Sequence, residues 1–120
     1  MNEINPKVLS PLVLAYIGDG VYELFVRNKL IEEFSSTPPS QLHKLSSAHV
    51  KAHAQSNSMK IIEPELSQKE LAVYKRGRNA KSPTVPKNAD VTDYRRATGF
   101  EALIGYLYLN KENERLYELM

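Results

Sequence analysis

The chain has 120 residues, 42% hydrophobic and 25% charged, with a formal net charge of +2. That suits one globular domain spanning 1–120 around a single core, and excludes both general disorder and a second independent domain. There is no cysteine and there are only three histidines, so disulfides and thiolate metal sites are excluded and a reducing cytoplasm is the expected setting.

The N-terminal MNEINPKVLSPLVLAYIGD lacks a basic start and a small-residue cleavage site. No apolar run approaches the roughly 18–20 residues that span a bilayer. A cytoplasmic protein without a membrane anchor is therefore expected.

Helical signals follow one another along the chain. Ser10-Pro11 offers an N-cap with proline at the first helical position, and Leu14, Ile17, Val21, Leu24 and Phe25 recur at helical spacing, predicting a helix over about 11–33. Pro38-Pro39 breaks the chain, and Ser40 is placed to cap a second helix running to about 61, with Leu42, Leu45, His49, Ala52 and His53 on one face. Ser67-Gln68-Lys69-Glu70 fits a capping box and predicts a third helix over about 67–79.

AKSPTVPKNAD, with two prolines, reads as a loop. Thr92 or a nearby Asp starts a helix over about 92–109, and Asn110 is expected to cap a last short one. No window alternates like a strand, so the fold class is all-α.

Charge is unevenly placed. Between Lys75 and Arg96 lie seven basic residues (Lys75, Arg76, Arg78, Lys81, Lys87, Arg95, Arg96) against Asp90 and Asp93, a local +5 that leaves the remainder at −3. Such asymmetry attracts polyanions even when the whole chain is nearly neutral, which makes nucleic acid a candidate partner. The cluster KRGRNAK has no stacking aromatic run, and a solvated helix end accounts for it equally well.

Two acids sit where acids are costly: Asp19 in LVLAYIGDGVYELF and Glu101 in ATGFEALIGYLYL, both runs that read as buried helix faces. Two packed helices could present them to one point, and Mg²⁺ needs only one or two protein carboxylates besides water and substrate phosphate. The alternative is that both are partly exposed and pair with Arg or Lys. Glu23, one turn after Asp19, is assigned to an i,i+4 pair with Arg27.

Gly18 and Gly20 around Asp19, and Gly99 and Gly105 around Glu101, each weaken a helix by about 1 kcal/mol relative to Ala. They suggest close approach of another helix or a ligand. His43, His49 and His53 lack a third ligand to complete a zinc pattern and are read as surface or core residues.

YIGDGVYELFVRNKL and FEALIGYLYL together resemble the catalytic domain of the ribonuclease III family. The segment KRGRNAKSPTVPKNADVTDYRRATGFEALIGYLYL is similar to the short bacterial branch that lacks a double-stranded-RNA-binding domain. The resemblance covers nearly the whole chain.

It implies a homodimeric, Mg²⁺-dependent endoribonuclease acting on double-stranded RNA, in which Asp19 and Glu101 are the catalytic, metal-associated acids. It further implies maturation of the large-subunit (23S) ribosomal RNA precursor, helped by a large-subunit ribosomal protein. Part of the apolar surface of the first or last long helix is then expected between subunits.

The larger family carries two further acids, at positions occupied here by Ala15 and Thr98. A single Mg²⁺ is accordingly expected, with a second only when RNA phosphate supplies ligands. With no separate RNA-binding domain in the pattern, Lys75, Arg76, Arg78, Lys81 and Lys87 are assigned to duplex phosphates. The competing reading is a non-catalytic module of the same fold that binds ribosomal RNA in ribosome assembly.

Overall fold

The computed structural model describes residues 5–81 and 90–120, apart from the side chains of residues 48–50 and 53. Lys87, most of the expected loop and the side chains of His49 and His53 lie outside the described residues. The described residues form helices and short connections with no strand, so the architecture is all-α as expected.

After a 3-10 turn, Pro6–Val8, the helix α1 covers Pro11–Glu33. Ser10 Oγ accepts the Val13 N–H at 3.2 Å, and Pro11 takes the first helical position, where its missing N–H costs nothing.

The expected second helix is two: α2, Pro39–Val50, and α3, Ala52–Ile62, separated by Lys51 in extended backbone at φ −64°, ψ 146°. Ser46 and Ser47 both turn their hydroxyls back to the His43 carbonyl, at 2.9 Å each, which weakens the end of α2. The bend lets α3 bury Gln55, Ser56 and Met59 beneath α5. Nor does Ser40 cap α2: Pro38 is the N-cap and Pro39, its φ already helical, opens the helix.

A second 3-10 turn, Glu63–Glu65, leads to α4, Gln68–Asn79, which starts on the capping box read from the sequence: Ser67 Oγ accepts the Glu70 N–H and Glu70 Oε1 accepts the Ser67 N–H. Of the candidates for starting α5, Val91–Leu109, Asp90 does so by accepting the Asp93 N–H at 3.0 Å.

Asn110 closes α5 rather than opening α6, Asn113–Leu119. Its N–H bonds back to the Tyr106 carbonyl, Lys111 then turns through φ 59°, and Glu112 precedes α6 without a side-chain cap. The left-handed step at Lys111 leaves Asn110 facing the wrong way to cap α6.

α5 is the axis of the core. Phe100, Leu103, Ile104 and Leu107 are at most 1% exposed, and around them pack Leu14, Tyr22, Val26 and Leu30 of α1, Met59 of α3, Tyr74 of α4, and Leu116 and Leu119 of α6. Each such side chain contributes about 1.5–3 kcal/mol by leaving water. Tyr22 meets Phe100 edge to face, with ring centroids 5.1 Å apart.

The foot of α4 is tied to α6 by Arg115. Its guanidinium donates to both Glu70 oxygens at 2.8 and 2.9 Å and to the Glu65 carbonyl at 2.8 Å. No described helix is long and apolar enough to cross a membrane.

Candidate active site

α1 and α5 cross with almost no side chain between them. A Cβ placed on Gly18 would collide with the backbone carbonyl of Glu101, and one on Gly105 with the carbonyl of Leu14. The two contacts run in opposite order along the helices, 14 with 105 and 18 with 101, so the crossing is antiparallel and seats Asp19 beside Glu101.

Their side chains are joined by a hydrogen bond. Burial, then this bond, then the Asp19 charge push the Glu101 carboxyl up to about 9. At neutral pH Glu101 is therefore the protonated partner and donates to the Asp19 carboxylate.

Of the two acids expected on buried faces, one is there. Glu101 is half-buried, whereas Asp19 is exposed, because it is its neighbour Gly18 that enters the crossing. Neither acid forms an ion pair with Arg or Lys among the described residues, which removes the salt-bridge alternative there. Glu23 does pair with Arg27, at 2.7 Å.

Two hard oxygen donors without a compensating cation, one of them forced to keep its proton, suit a divalent ion that retains several waters. No group of three or more His, Cys, Asp or Glu side chains occurs among the described residues. Ala15 is buried, and the Thr98 hydroxyl donates to the Tyr94 carbonyl at 2.9 Å, so neither position supplies a third ligand of the acidic kind.

A second near-bare contact fixes α4 against α5 at Gly99 and Ala102, on either side of Glu101 in the sequence. A Cβ on Gly77 would come within 2.7 Å of Ala102 Cβ and 2.9 Å of Gly99 Cα, and one on Gly99 within 2.7 Å of the Tyr74 ring and carbonyl. The basic end of α4 is thereby held near the acids.

Lys75 and Arg76 are exposed on α4. Arg78 is half-buried, its Nε donating to Asn79 Oδ1 at 3.1 Å and its guanidinium lying 5.6 Å from the Tyr74 ring centre. Arg78 and Lys81 share a cavity of about 310 Å³ with Gly77, Ala80, Tyr94, Arg95 and Thr98; Lys75 and Arg76 do not line it. Arg95 lines this cavity, although the sequence reading did not assign it to the site. Its signal was its place in the basic stretch, two turns before Glu101.

Gly20, unlike Gly18, has nothing within 4 Å of where a Cβ would stand. It lies on an exposed stripe of α1 with Val13, Tyr16 and Leu24.

Residues 12–112 match the family model described as the Ribonuclease III domain. Over 114 residues the chain is 54% identical to the Mini-ribonuclease 3 of Clostridium tetani (strain Massachusetts / E88), covering 95% of this chain and 76% of that one. It is 50% identical over 116 residues to the Mini-ribonuclease 3 of Brevibacillus brevis, covering 97% and 86%. Among solved structures, the crystal structure of protein FN1578 from Fusobacterium nucleatum is similar at a TM-score of 0.84 and 35% identity, covering 93% of this chain and 88% of that one.

Proposed function

The chain belongs to the ribonuclease III family and is an endoribonuclease of the Mini-ribonuclease 3 type, and from that premise we propose that Asp19 and Glu101 are its catalytic, metal-associated acids. The substrate is double-stranded RNA, in the first instance a stem of the large-subunit ribosomal RNA precursor, and the cofactor is Mg²⁺. The observation that supports this reading is the pairing of the two acids at the close α1/α5 crossing, with no Arg or Lys partner for either among the described residues.

Mg²⁺ held by these two acids would supply Lewis acidity, lowering the pKa of water and offsetting charge on the phosphodiester. Asp19, exposed, presents its carboxylate towards the approaching strand. Glu101 stands behind it, held by its seat at the helix crossing, and as a carboxylate would hold the cation together with Asp19. Lys75, Arg76, Arg78 and Lys81, with Lys87 outside the described residues, contact duplex phosphates, since A-form RNA is recognised through its backbone and shape.

The protein acts as a homodimer. Val13, Tyr16, Gly20 and Leu24 form the apolar stripe on α1 that a second copy covers, with Tyr16 76% and Leu24 61% exposed in the single chain.

The test is cleavage of a labelled RNA duplex with Mg²⁺ by wild type, Asp19→Asn and Glu101→Gln, each checked for folding and RNA binding. Loss of cutting with binding retained is expected for both variants. A wild type that binds but cuts neither a duplex nor a ribosomal precursor stem belongs instead to the non-catalytic module, which the acid-free positions Ala15 and Thr98 favour.

A further inference from the structure

The cavity between the end of α4 and the start of α5 concentrates positive charge in a way that the open face of α4 does not. Among the described residues its lining carries Arg78, Lys81 and Arg95 and no carboxylate. Arg78 is held in place by Asn79 and by the Tyr74 ring, so its guanidinium is oriented before any ligand arrives. Thr98, whose hydroxyl proton is committed to the Tyr94 carbonyl, offers the cavity no hydroxyl donor. The charged groups that line the cavity, among the described residues, are two guanidiniums and an ammonium, with the Tyr94 phenol beside them.

Tyr94, Thr98 and Glu101 succeed one another at spacings of four and three along α5, so the cavity and the acid lie on one helix face. At 1.5 Å per residue, Thr98 and Tyr94 are about 5 and 10 Å along the axis from Glu101. That is a few steps along a nucleic-acid strand.

We infer that Arg78, Lys81 and Arg95 form a socket for one backbone phosphate of the cleaved strand, flanking the bond presented to Asp19 and Glu101. The socket sets which phosphodiester reaches the acids, in contrast to the diffuse attraction of Lys75 and Arg76. This rests on the reading of Asp19 and Glu101 as the cleavage site. The same chemistry would hold a terminal 5′ phosphate, but the cavity's place beside the acid pair favours an internal linkage.

The test walks a single neutral methylphosphonate along one strand of an RNA duplex and measures binding without Mg²⁺ to wild type, Arg95→Ala and Arg95→Lys. Arg95 is exposed, so neither substitution disturbs the core. One position flanking the mapped cut is expected to weaken wild-type binding about ten-fold, to have a clearly smaller effect on Arg95→Ala, where Arg78 and Lys81 remain, and an intermediate effect on Arg95→Lys.

An equal, small loss at every position in all three proteins would overturn the socket, and so would affinity that tracks only the presence of a 5′-terminal phosphate. Cut mapping on the unmodified duplex with Mg²⁺ tests the nuclease reading separately. A wild type that does not cut it defeats that reading, while the binding walk still reports on the cavity.

Discussion

Gly18 lies flush against the backbone carbonyl of Glu101, and this contact determines how near Asp19 comes to its partner acid. Gly18→Ala must push α1 and α5 apart, at a cost of about 1–3 kcal/mol in stability, and separates the acids as it does so. Cleavage is expected to fall by more than the loss of folded protein explains. Gly20→Ala, with open space around it, should raise single-chain stability by about 1 kcal/mol. Denaturant unfolding and duplex cleavage on the two variants check both; similar behaviour of the pair would refute the assignment of the crossing.

The Glu101 carboxyl is held at about 9 in the fold against an ordinary 4.5, so the native state binds its proton more tightly than the unfolded chain does. Its contribution to stability is complete below about 4.5 and is lost as pH rises through about 9. In urea unfolding with a chelator present, wild type is expected to lose stability relative to Glu101→Gln across that window. Added Mg²⁺ should restore more stability at the alkaline end, where no proton has to be displaced. A constant difference between the two proteins from pH 5 to 9 would rule out the shared proton.

Arg76 and Arg78 are proposed to neutralise RNA phosphates, so the double substitution Arg76→Ala, Arg78→Ala should weaken duplex binding and flatten its salt dependence. With a slope near −0.9 per phosphate neutralised, the log–log plot is expected to lose roughly one to two units of steepness. Binding that is unchanged across a salt series would remove both residues from the interface.

Arg115 holds the Glu70 carboxyl below its usual range, chiefly through its hydrogen bonds. That stabilisation is present above the ordinary Glu value and disappears as pH falls through the lowered one. Arg115→Met should therefore cost about 2–3 kcal/mol at pH 7, since Glu70 is 6% exposed and is left without its cation. The gap from wild type should narrow in acid, once Glu70 is protonated. Thermal unfolding at pH 7 and pH 3 measures it, and a gap that widens in acid would contradict the pairing.

Leu24→Glu places a charge in the middle of the exposed stripe of α1. Sedimentation is expected to find a dimer for wild type and a monomer for this variant at the same concentration, with helix content unchanged. A wild type that is monomeric at all working concentrations would take the stripe out of any subunit contact.

Where local chemistry decides, the sequence was sufficient. Ser10-Pro11 and the Ser67/Glu70 capping box place the starts of α1 and α4 because the groups that satisfy the free amides are within three residues of them. Lys51 carried no such mark: neither Gly nor Pro stands there, and the bend arises from burying Gln55, Ser56 and Met59 against a helix distant in sequence.

The exposure of Asp19 was hidden for the same reason, since apolar spacing identifies a buried face but not which residue of it enters a crossing. Arg95 gains its place from α4 as much as from its own helix. The two acids gave the first indication of the site and Gly18, Gly99 and Gly105 supported it through close helix approach, whereas a Cβ on Gly20 would meet nothing within 4 Å among the described residues.

Asp19 and Glu101 are 82 positions apart, the difference of their numbers, yet they meet through backbones in contact. Closing so long a loop is entropically costly and tends to come late in folding. A nascent chain cannot hold the acid pair until α5 has been made and α1 has docked on it. The acid pair is thus absent from any form in which α1 has not docked on α5, and on the proposed reading RNA cutting waits for that docking.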